Sequence, residues 1–547
     1  VFLFDLFHSL LPLHNPIGFG AADFIEFALA AILVALFVSW RRIAGWGEWL
    51  AARPRCSMAL LAALPVALRL ALLPHYPVPT PSGADDFSYL LLADTLRHFR
   101  FANAVHAMHR FFEAVFVLQE PSYSSIFPPG QGFVLIFGWA GVLLTAAAFC
   151  ALCYWMLRGW TQPKWALLGG LLAVIQFGPL CGWMNDYWGG LLSACAGCLM
   201  FGSLPRLRLS FHPRDGALLG IGIALQWLTR PFECLLACIA VAVFLLPANW
   251  RKLRQPLLAA SVPLVLALGL TAIQDRQVTG NWLTMPYMLS RYQYGVPAAF
   301  TTQPNPIPHR TLTPEQQLDY EAQTAVHGPG TGSFRAYWQR LASRIGFYRF
   351  FFLVPLFIAP LGLFRDRRFF WLAAAILIFA LGANFYPYFY PHYIAAETCL
   401  FLLVSVAGLA GLGSGIARIA AILCFTHAIF WYCLHLAGSE NQRIALTRFE
   451  NWDFINLGDP GQRIAVNRQL DRLPGQLLVF VRYGPAHGFH EWVHNAADID
   501  SSRIVWAGDL GDAANRALIA YYPHRTPLLV EPDAHPARLT RYHPNEE

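Results

Sequence analysis

Two adjacent carboxylates, Asp85 and Asp86, open the string Asp-Asp-Phe-Ser-Tyr about ten residues after an apolar run ends. Paired carboxylates near a membrane surface cannot both ionise easily, so one is pushed toward a higher pKa. Such a group can take a proton from a hydroxyl, or the two together can hold a cation. The competing reading is a helix N-terminus, where negative charge is favoured. A second chemical string is His490-Glu491-Trp492-Val493-His494. On a helix, H-E-x-x-H puts two imidazoles on one face with a glutamate as general base, as in zinc proteases. Here turn formers precede it (Gly484, Pro485, Gly488), and Asn495, Asp498 and Asp500 follow. That context argues for coincidence over a protease, and chelator-sensitive peptide cleavage would separate the two. Cys150/Cys153 and Cys195/Cys198 form C-x-x-C pairs inside apolar runs. Zinc pairs sit on polar turns, so these are read as small packing residues, and no disulfide framework is expected.

The elements that must position these groups are mostly membrane spans. Of 547 residues 56% are hydrophobic and only 13% charged, about half the charge of a soluble globular protein. That excludes a disordered chain and an ordinary cytosolic enzyme. The net charge of +7 is not gathered on one basic face, so a nucleic-acid partner is not expected. The sequence begins at Val1, not Met, so residues ahead of it are expected. Runs of about 20 apolar residues predict spans near 20–40, 56–74, 132–157, 165–182, 187–204, 215–230, 231–247, 256–273, 346–364, 369–385, 392–413 and 415–436.

Alternate short connections hold the basic residues: Arg41, Arg42, Arg53 and Arg55; Arg158 and Lys164; Arg206, Arg208 and Arg214; Arg251, Lys252 and Arg254; Arg365, Arg367 and Arg368. In the other set, the connections near 183–187 and 386–391 carry none, and the 230–231 junction carries Arg230. The positive-inside rule makes the basic set cytoplasmic. The long polar loops 75–131 and 274–345 then lie outside, together with the C-terminal region after 437. Short strands (477–481, 504–506, 527–530) and a helix (512–521) predict a small α/β domain there. The expected organisation is an extra helix and basic loop over 1–55, a membrane domain over 56–436 and an extracytoplasmic domain over 437–547.

The first outer loop continues through Glu113 and ends in Phe127-Pro128-Pro129-Gly130. Three further strings share the outer face: Asn185-Asp186-Tyr187-Trp188-Gly189-Gly190, Arg230-Pro231-Phe232-Glu233 and Pro391-His392-Tyr393. This order resembles the GT-C superfamily of membrane glycosyltransferases, and within it the bacterial members of glycosyltransferase family 39, which include protein O-mannosyltransferases and lipid A aminoarabinose transferases. The likeness spans about 75–413 and rests on the order of short motifs.

The resemblance implies a polytopic helical fold of 11–13 spans, with its site on the extracytoplasmic face of a bacterial inner (plasma) membrane. It implies a polyprenyl-phosphate sugar as donor and displacement at the anomeric carbon with inversion. The acceptor would be a hydroxyl on a lipid, glycan or protein. Asp85 maps to the family's base, while Asp86 would orient the acceptor or help hold a cation. A divalent metal at this pair is the one cofactor the resemblance admits. Arg230 would receive the leaving phosphate with Glu233 as its partner; the other reading of Arg230 is a snorkelling interfacial residue. His392 and Tyr393 could meet phosphate or sugar, or belong to an aromatic belt. Glu113, Asp186, Tyr187, Tyr287 and Arg291 complete the expected substrate contacts, and the helix-like stretch 313–325 could cover the site as a lid. A transporter or flippase of a lipid-linked saccharide is the competing class, and it should tolerate Asn at Asp85.

Overall fold

The computed structural model describes residues 28–33, 35–36, 41–328, 332–364, 366, 369–437, 462–485, 487–488 and 490–543. Helices α1 (Arg41–Ala51) and α2 (Pro54–Ala71) precede the first outer loop. That loop carries α3 (Ala84–Arg97) and the short antiparallel strands β1 (Val117–Leu118) and β2 (Ser124–Ser125). Next come α4 (Pro129–Leu135), α5 (Trp139–Trp160), α6 (Pro163–Phe177), α7 (Leu191–Ser210), α8 (Pro213–Thr229), α9 (Pro231–Leu245) and α10 (Trp250–Thr279). Proline stands in the first turn of α2, α4, α6, α8 and α9. Its missing N–H costs nothing there, because that donor has no intrahelical partner. The second outer loop carries α11 (Pro286–Tyr294), α12 (Pro314–His327) and α13 (Phe334–Arg344). The membrane part closes with α14 (Phe370–Ala383), a 3-10 segment at Pro391–Glu397, α15 (Thr398–Leu412) and α16 (Ser414–Ala437).

Helices α2, α5, α10 and α16 and the continuous run Pro391–Leu412 are each long and apolar enough to cross a membrane. Helices α6, α9 and α14 are shorter and equally apolar. The chain is a multi-pass membrane protein. Aliphatic, aromatic and cysteine side chains of α5, α6, α7 and α15 make its largest buried cluster. The two C-x-x-C pairs lie inside that cluster as free thiols.

Three expectations change. The span read at 132–157 is broken into α4 and α5 at Gly138, whose φ of 58° lies in the left-handed region that glycine adopts without strain. The stretch read as a span at 346–364 is 3-10 turns, Ile345–Phe351 and Val354–Ile358, followed by one short α turn. The amphipathic pattern over 90–101 predicts a helix there; the helix starts instead at Ala84, so the acidic pair lies in its first turn. The span read at 20–40 falls mostly outside the described residues.

The C-terminal region holds α17 (Arg463–Arg472), β3 (Leu477–Val481), β4 (Ile504–Gly508), α18 (Asp512–Tyr521), β5 (Thr526–Glu531) and β6 (Arg538–Arg541). The sheet order is β4-β3-β5-β6, with β3 parallel to both neighbours and β6 antiparallel at the edge. The predicted strands and helix of this domain are all present. Central β3 is buried at every position and accordingly reads Leu-Leu-Val-Phe-Val with no polar alternation.

The domain docks on the first outer loop. Leu478, Phe480 and Val505 pack with Leu91, Phe111 and Phe112. The Ala497 N–H donates to Asp94 Oδ2 (2.8 Å), and His106 Nε2 lies 3.0 Å from Asp500 Oδ1.

Candidate functional site

The acidic pair is held at the start of α3, with the extended residue Gly83 as N-cap. Asp86, third in the helix, turns back: its Oδ2 accepts the N–H groups of Ser82 (3.1 Å) and Gly83 (3.2 Å). Its Oδ1 accepts the N–H of Tyr187 (3.3 Å). Asp86 is thus a buried capping carboxylate that ties two acidic motifs together. Burial raises its pKa, and those three N–H groups and Arg463 work against the rise.

Asp85 differs. It is half-buried. Desolvation, reinforced by the charge of Asp86, pushes its pKa up to about 7, against the opposing charge of Arg230. Three motifs converge here. Tyr89, one turn beyond Asp85, stacks on Phe127 (centroids 4.2 Å apart, 14° between planes). A Cβ on Gly130 would sit 2.7 Å from the Leu228 carbonyl oxygen, so the Pro-Pro-Gly turn packs directly on the end of α8. There Arg230 separates α8 from α9. The Gln131 side chain donates to the Tyr187 carbonyl (3.0 Å), and the Tyr187 hydroxyl donates to the Pro79 carbonyl (2.8 Å). Deeper, Arg69 Nε donates to Asn185 Oδ1 (2.6 Å), fixing the Asn-Asp-Tyr turn.

The Arg230 guanidinium lies 4.4 Å over the Tyr393 ring, and Glu233, Tyr89 and Asp85 are its other charged or ionisable neighbours. His392 is buried between aromatic rings, 5.1 Å from Trp188 and 5.7 Å from Tyr390 by centroid. Asp186 is close to the pair, and burial plus the charge of Asp86 holds its carboxyl well above the usual range. Its Oδ1 is buried without a hydrogen-bond partner. The arrangement places one accessible carboxylate, one arginine and an aromatic wall at the junction of α3, α8, α9 and the Pro391–Glu397 segment.

The second loop contributes a carboxylate not singled out from the sequence. Asp319 on α12 is raised to about 7 by burial and by the charge of Asp85, with a hydrogen bond from Gln323 (2.8 Å) opposing the rise. Tyr386 and Tyr388 share its surroundings. The expected lid stretch is therefore a helix, opened by a capping box between Thr313 and Gln316, with one acid within reach of the charge of Asp85.

Other expected contacts sit elsewhere. Glu113 accepts from the Tyr294 hydroxyl (2.7 Å) and pairs with Arg310 (3.2 Å), joining the two outer loops. Arg291 donates to the carbonyls of Pro297 (3.0 Å) and Ala298 (3.1 Å), bracing its own loop. Its guanidinium also lies 5.8 Å over Tyr287, on the side of the loop that senses Glu233. Both Asp86 oxygens already accept backbone N–H groups, and among the described residues no three His, Cys, Asp or Glu side chains converge as ligands.

The H-E-x-x-H string is extended, not helical. Its two histidines therefore do not share a helix face, and the zinc-protease geometry is not formed.

No family model matches the sequence, and no curated protein matches it. Among solved structures the chain is similar to ArnT from Cupriavidus metallidurans in the apo state, with 12% identity and a TM-score of 0.46, over 86% of this chain and 92% of that one. It is similar to the same protein bound to undecaprenyl phosphate, with 12% identity and a TM-score of 0.44 over the same shares. It is also similar to the Archaeoglobus fulgidus oligosaccharyltransferase in complex with Zn and sulfate, with 12% identity and a TM-score of 0.45, over 87% of this chain and 67% of that one.

Proposed function

We propose that this protein is an integral membrane glycosyltransferase that moves a sugar from a polyprenyl-phosphate donor to an acceptor hydroxyl on the extracytoplasmic face, with inversion. The observation that carries the reading is Asp85: a half-buried carboxylate whose pKa of about 7 suits a general base at neutral pH, beside Arg230, which lies over the Tyr393 ring. The acceptor hydroxyl gives its proton to Asp85 as its oxygen bonds the anomeric carbon. The bond from that carbon to the phosphate oxygen breaks, and the polyprenyl phosphate leaves with added negative charge. Arg230 is placed to stabilise that charge. Tyr89, Trp188, Tyr390 and Tyr393 offer ring faces to the sugar.

The test is transfer by the purified protein from synthetic polyprenyl-phosphate sugars, alongside mass spectrometry of the lipid that copurifies. A copurified polyprenyl phosphate and sugar transfer that depends on Asp85 support the reading. Movement of a lipid-linked saccharide across vesicles, undiminished in Asp85→Asn, would replace it with a flippase. Sugar, lipid length and acceptor identity come from the same assay.

A further inference from the structure

Two touching groups of the C-terminal domain, Arg463 Nη1 and His494 Nδ1 at 3.2 Å, pack together against Phe87, the residue after the acidic pair. The His494 ring stacks on it with centroids 4.2 Å apart and 27° between planes. The Arg463 guanidinium lies 4.7 Å over the same ring and 4.5 Å over Trp492. Arg463 is only 2% exposed, and it donates to the Glu491 carbonyl. Glu491 fastens this pair to the loop beneath. Its Oε2 accepts the Val115 N–H (3.0 Å), while Oε1 accepts the Tyr483 hydroxyl (2.9 Å) and the Val493 N–H (3.1 Å). The H-E-x-x-H string thus makes contacts, but to the acidic helix instead of a metal. A planar cation and an imidazole side by side against one ring hold its position and, through it, the first turn of α3.

We propose that Arg463 is a positioning residue for Asp85 and Asp86: by packing on Phe87 together with His494, the C-terminal domain sets the geometry of the acidic turn and is part of the transfer machinery. The proposal rests on the reading of Asp85 as the base. Its structural half, the dependence of the turn on Arg463, can be tested without any activity. The charge of Arg463 also reaches Asp86, where it favours the ionised form that caps the helix.

The experiment uses the full chain in lipid nanodiscs and the variants Arg463→Gln, Arg463→Lys and Phe87→Leu. Hydrogen exchange is followed over 84–97 and over the domain contacts at 94, 106 and 497–500. Steady-state transfer from a synthetic polyprenyl-phosphate sugar is split into kcat and donor KM. A catalytic group displaced by about 1 Å can lose about 10²-fold. We expect Arg463→Gln to lose kcat on that order with donor KM unchanged. Exchange over 84–90 should quicken while the domain contacts stay protected. Arg463→Lys should recover part of both, and Phe87→Leu should reproduce the Gln phenotype without adding to it in the double variant. Unchanged exchange over 84–90 in Arg463→Gln overturns the proposal. So does loosening of every domain contact together, which would make Arg463 a docking residue only. If the wild type transfers no sugar while the exchange pattern is as expected, the function reading fails and the positioning stands.

Discussion

The backbone N–H of Tyr187 donates to Asp86 Oδ1 across 3.3 Å, joining the acidic start of α3 to the turn before α7. That bond, with those from Ser82 and Gly83, gives the two neighbouring aspartates different jobs. Asp85→Asn removes the proton acceptor but no structural bond to a neighbouring segment. Transfer should fall by about 10²–10⁴-fold, with donor binding unchanged and the thermal midpoint not lowered. Asp86→Ala should act on the fold, because three buried N–H groups lose their acceptor. A lost cap alone costs about 0.5–2 kcal/mol, so a lowered thermal midpoint is the expected readout. Equal loss of turnover with unchanged stability in both variants would show that Asp86 shares the chemistry.

The raised pKa of Asp85 sets a pH dependence. A base works only when ionised, so kcat/KM for transfer should rise with pH to a plateau, with its acid limb near 7. The charge of Arg230 holds that value down, so Arg230→Gln should move the limb to higher pH as well as lowering the plateau. The stability sign is opposite. Between the ordinary aspartate range and about 7, the folded state binds the proton that the unfolded state has released, so stability contributed by this group is lost as pH rises through that window. A limb unmoved by Arg230→Gln would separate the two residues.

Helix α12 is tied to the C-terminal domain by His487, whose Nε2 pairs with Glu315 and whose Nδ1 lies 2.7 Å from Asp533 Oδ1. Burial disfavours charge on His487, but the two carboxylates outweigh it and raise the pKa. The other charged or titratable groups around this contact are Tyr483, His490, Glu491 and, through His490, Arg463. A histidine with a raised folded pKa contributes stability that is complete below its unfolded value and is lost as pH rises through the folded one. Protection of α12 from hydrogen exchange should therefore fall on the alkaline side of the usual histidine range. His487→Gln should remove that dependence. Asp319, one turn from Glu315 and near Asp85, would loosen with it.

Much of this was legible in the sequence because punctuation and composition act locally. Pro163, Pro213 and Pro231 mark helix starts wherever an apolar run begins, and the Leu-Leu-Val-Phe-Val run announces a strand buried on both faces. The break at Gly138 was hidden because residues on both sides are equally apolar. The motifs around Asp85, Tyr187 and Arg230 could be recognised as a set. Asp319 could be placed on a helix but not opposite Asp85, since periodicity names a face and not its neighbour. The partners of Phe87 come from a domain at the other end of the chain, and no spacing rule reaches that far. Glu113 and Arg291 looked like substrate contacts because a polar residue in an outer loop shows its chemistry but not its partner. In the fold they meet Tyr294 and backbone carbonyls instead.

The orientation in the membrane is testable because the fold constrains it. The C-terminal domain touches α3 through Phe87 and His494, and through Asp94 and Ala497. Whichever side receives the first outer loop must therefore receive residues 463–543 as well. The basic residues Arg206, Arg208 and Arg214 lie at the far end of α7 from the Tyr187 turn and just beyond it, and the positive-inside rule predicts that side to be cytoplasmic. Ser501 and Ser210 are both exposed, one in the domain and one at the end of α7. With the native exposed thiols Cys56 and Cys433 replaced by serine, Ser501→Cys should react with an impermeant maleimide in intact cells. Ser210→Cys should react only after lysis. The reverse pattern would put Asp85 on the cytoplasmic face, where a different set of donors and acceptors would have to be considered. Labelling of both in intact cells would mean that the chain between them crosses the membrane an even number of times.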